Sequence, residues 1–459
     1  MPLSRLIFCL LLIGNLTGAA AMAAPAADEI SAQALREDMD FLLKTVREAH
    51  PDLGFSTSEA ALQASLDDIR RDLPPRMRRD EAWRHLARIN PVLADGHLLV
   101  ALPDWRADTA LHRAAGGVLF PFELVFDAQG HPVIEAALGG AVSDLAGARI
   151  VDVDGVPGAA LAATLLARTH GDTPAMRSAL LAQRWWLYHW KTIGASAQYS
   201  LVLERDGRRW PVTAAGSAAL PRVLQTEADV TRLFRLETTP GGAAVMTVNT
   251  FLSTHQAQFM AFTRDAFARM RAQGVTRLVI DISGNGGGDD SMWLEGLMPY
   301  LASAQYRTGS TAVKRVLRAN PDRGEQVGQI VHSEIGTWRA PQPDNPALFN
   351  GQVAVRIGPM TYSSSVLFAN VMHDFGFATL VGTGNAVRRT QSGGVYRVTL
   401  PHSGLALWLP RFVLAPPSGD RKGALLEARA ASDSQDIGDV SPGRRCPACR
   451  PDGPSTTPE

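Results

Sequence analysis

The chain is poor in cysteine, carries no excess charge of either sign and has no long apolar run after its first residues. Its three cysteines, Cys9, Cys446 and Cys449, cannot build a disulfide framework. Lys+Arg and Asp+Glu both number 45, so the overall field favours neither a polyanion nor a polycation. No local basic stripe is present, and nucleic acid is set aside as a partner. No later stretch reaches the roughly 18 consecutive apolar residues of a transmembrane helix. Glycine (41) and proline (29) stay far below low-complexity levels, and 46% hydrophobic with 20% charged residues is the composition of a folded globular chain. A length of 459 residues allows several domains.

The first residues read as an address. Met1 to Ala24 carries Arg5, an apolar run from Leu6 to Ile13 and the small-residue sequence Ala21-Met22-Ala23. That order is the pattern of a secretory signal, and the run is too short to span a bilayer. Export to the periplasm or the medium is expected, with no stable membrane insertion after the signal is removed. Removal also takes Cys9, leaving Cys446-Pro447-Ala448-Cys449 in a tail rich in proline, serine and glycine. No second such pair and no histidine pair follows, so an exposed tail pair is a simpler reading than half of a zinc site. No metal or cofactor is expected.

Hydrophobic periodicity divides the rest. From Ile30 to about Pro91 apolar residues recur at helical spacing (Leu35, Met39, Leu42, Leu43, Val46, then Trp83, Leu86, Ile89), which predicts amphipathic helices broken at Pro51 and Pro74-Pro75. From about Phe120 strand-like runs take over: Phe120 to Phe126, Ala148 to Val153 and Tyr199 to Leu203, with a helix over Ala159 to Thr169. Beyond Gly241 strands and helices alternate. Ala244 to Val248 and Arg277 to Asp281 read as strands and Gln256 to Gln273 as a helix, which predicts an α/β core. After Glu427 the sequence decays into a polar tail.

Three local patterns can carry chemistry. The strand ending at Asp281 runs into Ile282-Ser283-Gly284-Asn285-Gly286-Gly287-Gly288-Asp289-Asp290 and then a helix predicted over Ser291 to Leu301. Such glycines let backbone N–H groups approach a phosphate or an oxyanion, or serve only a turn. No Gly-Lys-Ser/Thr ending and no G-x-G-x-x-G is present, and the two aspartates oppose a phosphate. Thr361-Tyr362-Ser363-Ser364-Ser365 follows the strand-like Val353 to Ile357 and leads into a helix. A serine there can cap the helix or exploit its N-terminus as a nucleophile. Asp95-Gly96-His97 places a histidine after a turn. His373 is nearer to Ser363 in sequence, but ten helical residues at about 1.5 Å each keep the two beyond hydrogen-bond reach.

In their shared order these patterns resemble peptidase family S41, the C-terminal-processing and tricorn-type serine proteases. The resemblance covers nearly all of the chain after the signal. Glu48-Ala49-His50-Pro51 through Asp95-Gly96-His97 is similar to the family's helical part, and Ile150-Val151-Asp152-Val153-Asp154-Gly155-Val156-Pro157 to its PDZ-like module. Asp281 to Gly288 is similar to its glycine turn, and Thr361-Tyr362-Ser363-Ser364 to its nucleophile segment. Leu380-Val381-Gly382-Thr383 and Leu400-Pro401-His402-Ser403-Gly404-Leu405 follow at family-like distances. The resemblance implies a mixed α+β multidomain chain with a ClpP/crotonase-like α/β catalytic core. Its parts are a signal peptide (1–24), an N-terminal helical domain (28–112), a PDZ-like β-rich module (113–235), the catalytic core (236–430) and a flexible tail (431–459).

It also implies roles. Ser363 is the nucleophile, and the backbone N–H groups of Gly287 and Ser364 form the oxyanion hole. One branch of the family uses a lysine as base, but that position falls on Arg388, which cannot shed a proton. His97 matches the histidine-using, tricorn-like branch and is the implied general base. The usual Gly-Glu-x-Thr is Gly382-Thr383-Gly384-Asn385 here, and Asp420 and Glu427 both remain candidates for the third triad member. The implied activity is an exported serine endopeptidase acting on protein or peptide substrates. The alternative is a weakened or inactive peptide-binding protein on the same scaffold, and a hydrolase of esters or small amides is a further one.

Overall fold

The computed structural model describes residues 29–430, except 103, 240–241 and 420–422. The signal-like segment, Asp420, Cys446, Cys449 and the tail therefore lie outside the described residues.

The N-terminal periodicity folds as expected, into helices Ala32–Ala49, Glu59–Arg71 and Arg79–Leu86. Ser31 and Ser58 cap the first two by accepting N–H bonds from Ala34 and Ala61, respectively. Leu35, Met39, Leu42 and Val46 form the buried stripe of the first helix. The strands expected next are Phe122–Phe126, Arg149–Val153 and Gln198–Arg205. They join Pro132–Ala137 and Arg208–Ala215 in a sheet in which Phe122–Phe126 is an edge strand. The segment holds more helix than the β-rich reading allows. Besides Gly158–Leu166, the helices Pro174–Gln183 and Trp185–Thr192 lie between its strands, the former capped by the Thr173 hydroxyl with Pro174 at its first turn.

The N-terminal helices and this sheet share one hydrophobic core, which also takes in Leu400, Leu405, Leu407 and Leu409 from the far end of the chain. Strand Leu99–Ala101 pairs antiparallel with Ala406–Leu409, stitching the loop before it to the C-terminal half.

A second core fills the α/β layer. Its sheet runs in the order Phe234–Thr239, Ala243–Val248, Arg277–Asp281, Gln352–Ile357, Thr379–Gly382, all parallel except the first. Parallel strands buried on both faces are continuous apolar runs, as Leu278-Val279-Ile280 is. The helix predicted over Ser291 to Leu301 is split into Asp290–Gly296 and Met298–Leu301, with Pro299 at the start of the second piece.

One consequence of this topology places the site. Arg277–Asp281 and Gln352–Ile357 are neighbouring parallel strands in register, Asp281 opposite Arg356. The glycine turn and the Ser363 segment therefore leave the same carboxyl edge of the sheet side by side, where open α/β sheets bind their ligands.

Candidate active site

The glycine turn is built for close approach. Asn285 is fully buried. It donates through Nδ2 to the Val248 carbonyl (3.0 Å), and its own carbonyl accepts the Tyr362 N–H (3.0 Å). Gly287 adopts φ +98°, and a Cβ there would stand 2.7 Å from the Ser363 Cβ and 3.0 Å from the Ser364 nitrogen. A Cβ on Gly288 would meet the Phe251 carbonyl oxygen at 2.1 Å. Only glycine lets this backbone lie against the Ser363 segment.

Ser363 stands at the head of helix Ser364–Asp374, whose Val366, Phe368, Val371 and Met372 are fully buried. Each such side chain contributes on the order of 1.5–3 kcal/mol to holding that helix in place. Ser363 occupies the cap position, yet its hydroxyl makes no capping bond. Its backbone sits at φ 56°, ψ −127°, where L-residues are rarely found and strain costs about 1–3 kcal/mol. Its N–H donates to Gln391 Oε1 (3.0 Å), and Gln391 Nε2 donates to the Arg388 carbonyl (2.7 Å). Ser364 is spent on structure: its Oγ donates to Asp290 Oδ1 and accepts from Trp293 Nε1 (3.0 Å). Ser365 Oγ has no partner either, but it is sealed in the interior. The structure thus singles out Ser363 as the strained, part-exposed serine with an uncommitted hydroxyl.

His97 reaches the same place from the other half of the chain. Ala94 turns the backbone at φ 46°, and Gly96 packs so tightly on the Tyr362 ring that a Cβ would come within 2.5 Å of it. The His97 ring lies 4.8 Å, centroid to centroid, from the ring of Tyr362, the residue just before Ser363. No hydrogen bond joins His97 to Ser363. Such bonds are commonly long before substrate binds.

The opposite edge of the imidazole is held by residues the sequence did not single out. His97 Nδ1 is 3.0 Å from Ser392 Oγ, which donates its one proton to Asp95 Oδ1 (2.8 Å). Ser392 can then only accept from His97, so Nδ1 carries the proton and Nε2 keeps its lone pair. Asp95 Oδ1 also accepts the His97 N–H (2.7 Å), while Asp95 Oδ2 is buried with no partner. Tyr362 OH accepts the Gly96 N–H (2.9 Å) and lies 2.8 Å from Asp172 Oδ1 and 3.2 Å from Asp95 Oδ1. Burial, followed by the Asp95 carboxylate, pushes Asp172 up to about 6, against the pull of Arg388. Burial also holds His97 below the ordinary histidine value, with Asp95 opposing, which keeps the ring neutral and basic.

The remaining candidates are placed as follows. The Gly287 N–H donates to Asn285 Oδ1 (2.9 Å), whereas the Ser364 N–H has no protein acceptor. Arg388 donates to the Ala94 carbonyl (2.7 Å) and pairs with Asp172 (3.6 Å), a structural cation. Glu427 is exposed, with no side-chain hydrogen bond or ion pair among the described residues. His373, on the last turn of the serine's helix, bonds Asp374. Asp172, Gln391 and Ser392 had no local signal. Each acts through contacts made across 28 or more residues of chain.

Two hollows open around this centre. One, of about 1380 Å³, runs between edge strand Phe122–Phe126 and helix Pro174–Gln183 to Gly284, Gly286, Gly287 and Met360. The other, of about 630 Å³, has His97 in its wall. Arg106 and Arg184 line both.

Residues 242–421 match the model of Peptidase family S41. The solved structure of mature CPAF complexed with lactacystin is similar with a TM-score of 0.61 at 13% identity, covering 87% of this chain and 93% of that one. Mature CPAF alone gives 0.57 at 12% identity, covering 87% and 92%. At such identities the likeness is one of fold. No curated protein matches the sequence. A glycine turn and a strained serine on adjacent parallel strands lie inside the segment that matches Peptidase family S41, and together they make this chain a serine-type peptidase whose residues 242–421 are an S41-type segment.

Proposed function

We propose that the chain is an exported endopeptidase that cleaves peptide bonds through an acyl-enzyme, with Ser363 as nucleophile and His97 as general base. The observation that carries this reading is Ser363 itself, held at positive φ with a free hydroxyl over Gly287 and next to Tyr362, whose ring packs at a tilt on His97. Ser363 Oγ attacks the scissile carbonyl and its proton passes to His97 Nε2. The imidazolium is stabilised through Nδ1–H, Ser392 Oγ and Asp95. The oxyanion faces the Ser364 N–H, and the Gly287 N–H joins it by exchanging Asn285 Oδ1 for the oxyanion. His97 then gives its proton to the leaving amine, and water, deprotonated by the same ring, releases the acyl group.

The larger hollow favours an extended peptide. Strand Phe122–Phe126 has a neighbour on one side only, so a substrate can add as the next strand and run on to Gly287. On this reading residues 113–235 are a PDZ-like module. The order of charge, apolar run and small residues in Met1 to Ala24 supports export to the periplasm or the medium. The test is hydrolysis of a quenched peptide library by the wild type and by Ser363→Ala. Turnover that disappears with the serine supports the proposal, and turnover unchanged in Ser363→Ala overturns it.

A further inference from the structure

The smaller hollow holds a cation with no anionic partner among the described residues. Arg184 joins helices Pro174–Gln183 and Trp185–Thr192, and its side chain makes no hydrogen bond and no ion pair among the described residues. Its Nε is sealed from solvent and unsatisfied. The one carboxylate in range, Glu227, is taken by Arg106 through two bonds of 2.7 and 2.6 Å. The Trp105 ring lies 5.1 Å from the Arg184 guanidinium carbon, but a ring face cannot accept the in-plane N–H groups. Arg168, in the same wall, donates only to carbonyls, and the one acid lining the hollow, Asp104, is exposed. The field is therefore positive. Burial, followed by Arg184 and His97, pushes His170 beside them down to about 3, so that ring stays neutral and leaves the arginines as the charges of the hollow. Around these cations the wall is aromatic, with Trp83, Trp105, Tyr188 and Trp408.

The Arg184 Nε is buried and unpaired while the rest of its part-exposed guanidinium carries no anion, and a carboxylate matches such a fork with two bonds. We propose that the hollow beside His97 is a substrate subsite in which Arg184 binds a peptide carboxylate while the aromatic wall takes the bulky apolar group next to it. This rests on the reading of Ser363 and His97 as the cleaving pair. His97 delivers the proton to the leaving amine, so the subsite holds the leaving-group side of the peptide. The carboxylate comes either from the chain's C-terminus or from an acidic side chain.

The test separates these sources by anisotropy on Ser363→Ala protein with three fluorescein-labelled decapeptides. One ends in Phe as a free acid, one is its carboxamide, and one is the carboxamide with a Glu before the Phe. At least about tenfold tighter binding of the first over the second assigns the C-terminus, and of the third over the second assigns a side chain. Arg184→Gln reduces either preference to about twofold or less, and Arg184→Lys retains part of it. Equal binding of all three peptides overturns the proposal, as does a preference that survives in Arg184→Gln. If Arg184→Gln fails to fold by circular dichroism, the peptide comparison and Arg184→Lys still decide. Fluorophosphonate labelling of wild-type Ser363 reports separately on the cleaving pair, so failure there is distinguishable from failure of the subsite.

Discussion

Removing one hydroxyl, that of Ser392, should expose how the base is held. In the resting state Ser392 Oγ accepts from His97 Nδ1 and donates to Asp95, which fixes the tautomer and ring orientation. On the proposed mechanism the ring is charged in the transition state, and the same bond becomes one to an imidazolium. A hydrogen bond to a charged group contributes about 1.5–3 kcal/mol, which at 1.36 kcal/mol per decade is a loss of about 10- to 150-fold in kcat for Ser392→Ala. KM should change little, because Ser392 contacts the base and not the peptide. Ser392→Thr keeps the hydroxyl and should restore most of the rate. The assay is steady-state hydrolysis of a fluorogenic peptide across pH, with thermal melting as a control for folding. A Ser392→Ala enzyme within about twofold of wild-type kcat, or a loss carried by KM, would refute the relay.

Other predictions follow from the same geometry. Gly287→Ala puts a Cβ 2.7 Å from the Ser363 Cβ at a φ of +98°, and the rate of Ser363 acylation should fall about 100-fold, the scale of losing one oxyanion donor. Stopped-flow with an activated ester reads that rate, and near-normal acylation would contradict the close approach. Because burial lowers the His97 value, the acid limb of kcat/KM should have its midpoint below the ordinary 6.5; a midpoint above it would mean that Asp95 outweighs burial. Burial places His170 at about 3 and His189 at about 4, so the unfolded chain binds more protons than the folded one below pH 6.5. Their stabilisation is full above 6.5 and is lost as pH falls toward those values. Asp172, raised to about 6, acts the opposite way, its contribution being present below 3.8 and lost as pH rises through 6. With two histidines against one aspartate, Tm should be lower at pH 4.5 than at 7.5, and His170→Gln should flatten the slope. A Tm unchanged or higher at pH 4.5 would overturn this balance.

What could be read in the sequence was whatever chain-local physics encodes. Arg277–Asp281 was legible to the residue because a strand buried on both faces must be an apolar run bounded by turns. Asp95-Gly96-His97 and Ser363 were legible only through their order along the chain. The helix pair Pro174–Gln183 and Trp185–Thr192 was missed although Thr173-Pro174 is a helix start, because the strand runs around it set the expectation of a β-rich module. Asp172, Gln391 and Ser392 carried no signal at all. Their roles exist only once the fold brings Asp95, 297 positions before Ser392, to within 2.8 Å of it. The same holds for Arg184, whose significance is a missing partner and hence a property of the packed structure alone.

The central claim is that His97 activates Ser363. Purified protein and a His97→Ala variant should be treated with a fluorophosphonate probe and the labelled residue mapped by mass spectrometry. The account predicts label on Ser363 in the wild type and its loss in His97→Ala at unchanged melting temperature. Label elsewhere, no label on the folded wild type, or equal label in the variant would contradict it.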